Sequence, residues 1–331
     1  MERYVAIDNV CAWPNLTLMP DGVIVATIFN QPAHGAWEGD VECWASVDGG
    51  CLWELRGTPA PHEPGTNRMN VAAGLARNGD LIVIASGWTD RPPVGERRGF
   101  GEAEVLHPWV CRSADGGRTW TRDGSIDKPI DGVQALIPFG DVIQLPSGAL
   151  SVSCYAWEPP NKHNAYSYRS DDDGQSWSCT GVIKFDGINE TTLLALADGQ
   201  ILAAARTLGD QHLDLYRSTD EGATWANSGP LTLGMQHPAH LLQLADGRIL
   251  LTYGIRNQGL YGVGARFSSD VGKTWSAPQL LVDFKTATDG GYPSSVQLPN
   301  GMIVTAYYCS CTPAHNRYHM GVVRWKSKRE R

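Results

Sequence analysis

Four side chains at corresponding places in a repeated pattern have the types needed for proton transfer and anion binding. Each repeat contains two short apolar runs joined by a two-residue turn, and Glu190 and Tyr292 each lie eight residues before such a turn. Arg206 and Arg256 end the second apolar runs of the fourth and fifth repeats. A carboxylate can accept a proton from a phenol, and arginines pair with anions. The pattern predicts that all four side chains face one pocket.

The repeats are marked by five copies of the pattern Ser-x-Asp-x-Gly-x-Thr-Trp or close variants of it. The copies begin at Ser46, Ser113, Ser170, Ser218 and Ser268. We take their aspartates to be Asp48, Asp115, Asp173, Asp220 and Asp270. In such a box the aspartate accepts hydrogen bonds from turn amides, and the glycine supplies a positive φ. Similar segments at intervals of tens of residues are typical of a repeat architecture.

Six two-residue turns separate the apolar runs. They are Asp21-Gly22, Asn78-Gly79, Ser147-Gly148, Asp198-Gly199, Asp246-Gly247 and Asn300-Gly301. Asp-Gly or Asn-Gly between β-branched runs is a strong hairpin signal. The chain is therefore predicted to be all-β, a six-bladed β-propeller with four-stranded antiparallel blades and five Asp-box turns. The sixth blade has no box after its third strand, residues 319–325, and residues 4–7 are predicted to supply its outer strand.

The repeats run from end to end without a linker, which predicts a single propeller domain over residues 1–331. The net charge of −8 and the lack of Lys/Arg runs argue against a nucleic-acid partner. No apolar run approaches a membrane-spanning length, so no membrane partner is expected. Residues 1–4 lead directly into a predicted strand without an apolar signal core. We expect a cytoplasmic protein if the sequence is full length, and a secreted one if a leader was removed.

The eight cysteines form no recognisable disulfide framework or metal-binding pattern. Most lie in or beside predicted strands, where a free cysteine packs as a small hydrophobe. Cys309 and Cys311 are close in sequence, with His315 and His319 nearby, but this spacing matches no common zinc pattern. We expect reduced thiols, no metal site and no cofactor.

The direction of the strands predicts which face of the propeller binds a ligand. The boxes mark the bottom face, and the loops between second and third strands lie on the top face, where propellers bind over the central channel. Stepping back eight residues from each two-residue turn gives a ring at the top of the axis: Trp13, Asn70, Phe139, Glu190, Pro238 and Tyr292. Trp13 and Phe139 either stack on a sugar or plug the channel.

The chain resembles the sialidase (neuraminidase) superfamily over essentially its whole length. Segment 188–206 is similar to the family's stretch that holds the catalytic glutamate and one arginine of a carboxylate-binding triad. Gly254-Ile255-Arg256-Asn257 matches the position of another triad arginine, and the segment that begins Gly291-Tyr292-Pro293 resembles the one with the nucleophilic tyrosine. The resemblance implies that Tyr292 is the nucleophile, Glu190 its base, and Arg206 and Arg256 substrate-binding residues.

The activity that this resemblance implies is an exo-acting glycoside hydrolase that releases a terminal sialic acid or a related 2-keto-3-deoxy sugar acid. The carboxylate on the anomeric carbon of such a sugar repels a charged nucleophile. A neutral tyrosine avoids that repulsion, and arginines hold the carboxylate. A catalytic pair of Glu190 and Tyr292 must then lie at hydrogen-bonding distance, and separation across the channel would contradict the nucleophile assignment.

The chain departs from the family at the start of the first blade. Cys11-Ala12-Trp13-Pro14 stands where the family has its first arginine, so Ala12 replaces that residue. Arg68, at the start of the second blade, is a candidate substitute and substrate-binding residue. Alternatively, the substrate is not a common sialic acid.

The family's acid/base is an aspartate in the loop of blade 1 that corresponds to residues 30–40. Here that loop contains His34, Glu38 and Asp40. Asp40 is our first choice by residue type, although a histidine can act as an acid at neutral pH. His34 and Glu38 stay as alternatives and as candidate substrate contacts.

Two other functions stay open. The propeller could act on another acidic glycan, such as one containing uronic acid, as Ala12 suggests. It could also bind carbohydrate without turnover, although the presence of both Glu190 and Tyr292 favours an enzyme. In each case the expected partner is a glycan or a sugar-acid glycoside.

Overall fold

The computed structural model describes residues 1–96, 103–128, 133, 135–158, 162–184, 187–207, 212–310 and 315–327. Within these ranges the regular structure consists of β-strands, arranged as six four-stranded antiparallel meanders. The predicted all-β propeller is confirmed. No helix in these ranges is long and apolar enough to cross a membrane.

The first three blades follow one another along the chain. Blade 1 contains β2 (Cys11–Leu18), β3 (Ile24–Phe29), β4 (Val41–Ser46) and β5 (Glu54–Ala60). Blade 2 contains β6 (Asn67–Leu75), β7 (Leu81–Trp88), β8 (Val105–Ser113) and β9 (Thr121–Ile126). Blade 3 contains β10 (Ile137–Gln144), β11 (Leu150–Glu158), β12 (Lys162–Ser170) and β13 (Ser176–Lys184).

The last three blades follow the same order from the axis outward. Blade 4 contains β14 (Ile188–Ala195), β15 (Ile201–Thr207), β16 (Leu213–Ser218) and β17 (Ala226–Pro230). Blade 5 contains β18 (Ala239–Gln243), β19 (Ile249–Asn257), β20 (Leu260–Ser268) and β21 (Gln279–Asp283). Blade 6 contains β22 (Gly291–Gln297), β23 (Ile303–Ser310), β24 (Tyr318–Trp325) and the N-terminal β1 (Glu2–Asp8).

Blade 6 is closed by strands from both ends of the chain. β1 pairs antiparallel with β24, with Glu2 opposite Arg324 and Tyr4 opposite Val322. This is the pairing predicted for residues 4–7. Without β1, the outer edge of β24 would present unpaired backbone groups. The pairing covers that edge and completes the fourth strand of the blade.

Blades 2 and 3 are joined more closely than the repeat pattern predicts. β6 pairs in parallel with β10, and β9 pairs in parallel with β13, so these eight strands form one closed sheet. Gly74 permits the inner contact, because a Cβ atom there would lie 2.2 Å from the carbonyl oxygen of Val142. The absence of a side chain lets the two backbones approach.

Burial falls from the axis to the perimeter. Every residue of β3 is buried, whereas β17 is almost wholly exposed. The second strands of the blades are covered on both faces, which explains their nearly continuous apolar runs. At the six predicted hairpin turns the glycines all have positive φ, between 77° and 90°, which is the conformation that selects glycine there.

Each Asp box is a hydrogen-bonded turn. The box serine donates to the aspartate at 2.7–2.8 Å and accepts from the glycine amide at 2.7–2.9 Å. In the third box the acceptor is Asp172, so our choice of Asp173 is corrected. Asp173 adopts a φ of 63° and accepts instead from the amide of Arg77. Counted from Ser170, the box pattern itself places the aspartate at position 172, the second of three consecutive aspartates.

Replacing Asp172 with alanine is expected to lower the free energy of unfolding by about 1–3 kcal/mol, since turn donors lose their acceptor. Asp172 accepts from Ser170, from the amide of Gln175, and from the amide and hydroxyl of Ser176. Although burial acts to raise it, these hydrogen bonds lower the pKa of Asp172 to about 2. Urea unfolding measures the loss, which should shrink as the pH falls through that value.

The neighbouring residue Asp171 provides a matched control. Its carboxylate is exposed and pairs with Arg169 on the surface, so Asp171→Ala should cost less than about 1 kcal/mol. Equal losses from the two variants would contradict the role of Asp172 as the acceptor of the box.

Candidate active site

The inner strands carry the candidate residues at irregular points of their pairing. The register shifts between Cys11 and Asn15 in β2, between Ile188 and Thr191 in β14, and between Gly291 and Ser294 in β22. β-Bulges of this kind redirect side chains and are common beside active sites. The shifted segments contain three residues of the predicted ring: Trp13, Glu190 and Tyr292.

Glu190, Tyr292 and Arg206 form one hydrogen-bonded group. The Tyr292 hydroxyl donates to Oε1 of Glu190 at 2.7 Å, and Nη1 of Arg206 pairs with Oε2 of Glu190 at 2.7 Å. The same Nη1 lies 3.3 Å from the Tyr292 hydroxyl oxygen. The structure thus brings together residues from blades 4 and 6, at the distance that the nucleophile assignment requires.

The backbone of Tyr292 contributes to this placement. Its φ is 47°, in the left-handed region that a bulky residue seldom adopts, and Gly291 before it has a φ of 95°. A Cβ atom on Gly291 would lie 2.8 Å from Cα of Gly254 in blade 5. Strained conformations of this kind persist where the surrounding structure holds them, and they cluster at functional sites.

Charges and burial set the protonation of this group. Burial raises the pKa of Tyr292 well above its usual value, and the Glu190 carboxylate adds to the rise, while Arg206 and Arg256 oppose it. Burial would lower the pKa of Arg206, but the Glu190 carboxylate more than compensates. At neutral pH Tyr292 is therefore a neutral phenol and Arg206 a cation.

A second charged group adjoins the first. Oδ1 of Asp289 pairs with Nη2 of Arg256 at 2.7 Å. Oδ2 of Asp289 accepts from the Tyr308 hydroxyl at 2.8 Å and lies 2.8 Å from Nδ1 of His34. The guanidinium of Arg256 lies 5.3 Å from the centre of the Tyr292 ring. The two groups thus meet at Tyr292.

Asp289 remains ionised in this setting. Burial acts to raise the pKa of its carboxyl, but the hydrogen bond with His34 and the charge of Arg256 hold that pKa well below the usual range. The ionised carboxylate therefore forms an ion pair with the guanidinium of Arg256.

Aromatic rings surround the nucleophile candidate. Trp13 stacks on Tyr292 with ring centres 5.1 Å apart, and Phe139 meets both rings edge-on at 6.3 and 6.1 Å. Trp13 is only 7% exposed. The structure places Trp13 as a packed wall beside Tyr292 rather than as an open stacking platform.

The side chains of the three titratable residues in the blade 1 loop contact different parts of the protein. Oδ1 of Asp40 accepts from the His62 amide at 2.7 Å and lies 2.6 Å from Nδ1 of the same histidine. Glu38 accepts from the amide of Gly65. These contacts direct both carboxylates toward the connection between β5 and β6. His34, by contrast, pairs with Asp289. The role of Asp40 as acid/base stays a prediction.

Arg68 does not take the place of the missing arginine. Its Nη1 donates to the carbonyl of His107 at 3.1 Å, and its guanidinium carbon lies 3.6 Å from the centre of the Trp109 ring. Burial lowers its pKa to about 10. Arg68 packs against β8 of its own blade and not beside Arg206 or Arg256. Ala12 is itself fully buried.

Three residues of the site were missed from the sequence: Asp289, Tyr308 and His237. Asp289 lies three residues before Tyr292, in the loop that leads into the inner strand of blade 6, and such loops also lie on the top face. His237 precedes Pro238 of the predicted ring. Burial, then the charges of Arg206 and Arg256, lowers the pKa of His237 to about 3. For Asp289 and His237, a position close to a residue of the predicted ring was the available signal.

The described residues contain no group of three His, Cys, Asp or Glu side chains that could hold a metal ion. Of the cysteine and histidine cluster near the C-terminus, Cys311 lies outside those residues. Sγ of Cys309 lies 3.4 Å from Nε2 of His319, and His315 pairs with Asp8.

The fold and this arrangement of residues define a sialidase-like Asp-box propeller. The chain belongs to the BNR repeat-like domain family, whose model matches residues 22–305. No curated protein sequence matches the chain.

Solved structures show the same fold. A Dyadobacter fermentans protein of unknown function has a TM-score of 0.81 and 24% identity, covering 98% of this chain and 97% of its own. The Hadza microbial sialidase Hz136 has a TM-score of 0.74 and 16% identity, covering 95% of this chain. A Trypanosoma rangeli sialidase in complex with the inhibitor DANA has a TM-score of 0.72 and 15% identity, covering 97%. This chain spans 65% and 55% of the length of those two sialidases.

Proposed function

We propose that this protein is a glycoside hydrolase of the sialidase type, with Tyr292 as nucleophile and Glu190 as its base. The observation that carries the proposal is the 2.7 Å hydrogen bond from the buried Tyr292 hydroxyl to Glu190. Because burial and Glu190 raise the pKa of Tyr292, the phenol stays neutral until a base takes its proton. Glu190 is the carboxylate in contact with that proton.

The reaction proceeds in two displacements at the anomeric carbon. In the first, the bond from the Tyr292 oxygen to the anomeric carbon forms as the glycosidic bond breaks, the phenol proton passes to Glu190, and the departing oxygen takes a proton from a general acid. In the second, water attacks the same carbon and gives a proton back to that acid/base group, while the Tyr292 oxygen leaves and regains its proton from Glu190. Two inversions give net retention of configuration.

The proposed substrate is a terminal sialic acid or a related 2-keto-3-deoxy sugar acid. Arg206 and Arg256 are the two cations beside the nucleophile, at 2.7 Å from Glu190 and Asp289 respectively. They would orient the substrate carboxylate next to the anomeric carbon that Tyr292 attacks.

A second candidate is a hydrolase of another acidic glycan, such as one with a terminal uronic acid. Two observations favour it: Ala12 stands where the family has an arginine, and Asp289 already neutralises Arg256. A substrate whose carboxylate is not on the anomeric carbon depends less on three free arginines at that point.

Fluorophore release from aryl glycosides tests both candidates. The panel comprises aryl α-glycosides of N-acetylneuraminic acid, of its deaminated analogue and of shorter keto-sugar acids, together with aryl uronides. Turnover of a keto-sugar acid that collapses in Tyr292→Phe supports the leading proposal. Turnover of uronides alone supports the second. If the wild-type protein cleaves none of them, hydrolysis is contradicted and carbohydrate binding without turnover becomes the function to test.

A further inference from the structure

A histidine and an aspartate at the mouth of the site have the arrangement of an oriented proton donor. Nδ1 of His34 lies 2.8 Å from Oδ2 of Asp289, and Oδ1 of Asp289 is held by Arg256. Since an ionised carboxylate accepts only, Nδ1 must carry the hydrogen of this bond. Nε2 of His34 has no hydrogen-bond partner among the described residues. A partner on one ring nitrogen fixes the role of the other.

The position of His34 relative to the nucleophile suits this role. The His34 ring lies 5.7 Å from Trp13 and 6.3 Å from Tyr308, and both of those rings also contact Tyr292. The His34 side chain is 39% exposed, whereas Glu190 is 5% exposed. In an exo-acting hydrolase the sugar is buried and the departing group points to solvent. A proton donor for the departing oxygen must therefore lie at the mouth, above the nucleophile.

The other titratable groups nearby do not fit. Asp289 is held ionised by His34 and Arg256, although burial opposes this by raising its pKa. The Tyr308 hydroxyl donates a hydrogen bond to Asp289, and burial raises the pKa of Tyr308 well above the usual value. Burial lowers the pKa of His237 to about 3, so that histidine is neutral at pH 7. Asp40 is engaged by His62.

We propose that His34 is the general acid and base of the reaction, and that Asp289 is the residue that positions it. The proposal rests on the hydrolase function proposed above. In the first displacement the protonated His34 gives its Nε2 proton to the glycosidic oxygen as the bond to the anomeric carbon breaks. In the second, Nε2 takes a proton from the attacking water as the bond to Tyr292 breaks. His34 thus returns to its starting state, and one water is consumed for each glycoside.

Dependence on the leaving group tests the role of His34. His34→Asn keeps an amide that can bond to Asp289 from the Nδ1 position but has no group at Nε2. For a methyl glycoside, whose leaving oxygen needs a proton, kcat/KM is expected to fall by about 100-fold or more. For the 4-nitrophenyl glycoside of the same sugar, whose leaving group departs as an anion, the first displacement should change by less than about 5-fold.

Asp289→Asn tests the positioning role. This variant should show the same dependence on the leaving group but a smaller loss. Its kcat/KM for the methyl glycoside is expected to fall by about 10-fold. If His34→Asn lost activity equally on the two glycosides, or on neither, the assignment of His34 would be overturned while the Tyr292 mechanism stayed intact. If the wild-type protein hydrolyses neither glycoside of any sugar in the panel, the proposed function fails, and the acid/base role fails with it.

Discussion

Tyr292→Phe is expected to lower kcat by about 1000-fold or more, because it removes the oxygen that we propose attacks the anomeric carbon. The phenylalanine ring keeps the packing against Trp13 and Phe139, at 5.1 and 6.1 Å between ring centres. The expected change is therefore in chemistry rather than in the shape of the pocket. Steady-state hydrolysis of the best aryl glycoside in the panel measures it.

Tyr307 provides a matched control for this variant. It is also a buried tyrosine of blade 6, but it packs on Phe284 at 5.5 Å between ring centres, away from the site. Tyr307→Phe removes the same hydroxyl type from the same blade and should leave turnover unchanged. If Tyr292→Phe retained turnover similar to that of Tyr307→Phe, Tyr292 would not be the nucleophile.

Glu190→Ala is expected to lower the free energy of unfolding by about 3–5 kcal/mol, the cost of breaking a buried ion pair from one side. The Arg206 and Glu190 side chains are 17% and 5% exposed and form their pair at 2.7 Å. Without Glu190 the guanidinium of Arg206 loses its compensating charge inside the propeller. Equilibrium urea unfolding measures the loss.

The double variant Glu190→Ala/Arg206→Met separates this effect from lost packing. Removing both charges should recover a large part of the stability that either single variant loses, since no unpaired charge stays buried. Glu2→Ala is the exposed control, because Glu2 pairs with Arg324 at the surface and should cost less than about 1 kcal/mol. Strictly additive losses in the double variant would show that the two side chains do not stabilise each other.

The fold could be predicted because its signals are local. A two-residue turn needs glycine at a positive φ, and an Asp box contains its donor, acceptor and glycine within a few residues. Repetition then places the blades. The parallel pairing of β6 with β10 was beyond prediction, because it depends on two inner strands that approach across blades at Gly74.

The site was predicted where it follows the repeat and missed where it depends on loops. Glu190 and Tyr292 occupy equivalent places on inner strands, so their convergence follows from symmetry. Loop 30–40 has no such constraint, and contacts distant in sequence decide which side chain faces the pocket. Asp40 contacts His62, whereas His34 contacts Asp289, and neither partner lies in the loop itself.

The pairing of β1 with β24 has a consequence for the order in which the protein can fold. Glu2 and Arg324 are 322 residues apart in sequence, yet their side chains meet in one blade. During synthesis from the N-terminus, β1 waits without its partner until the last strand has left the ribosome. Tyr292 belongs to that last blade. The chain therefore assembles its proposed nucleophile and closes its ring in the same late step, and a nascent propeller would carry Glu190 long before it could react.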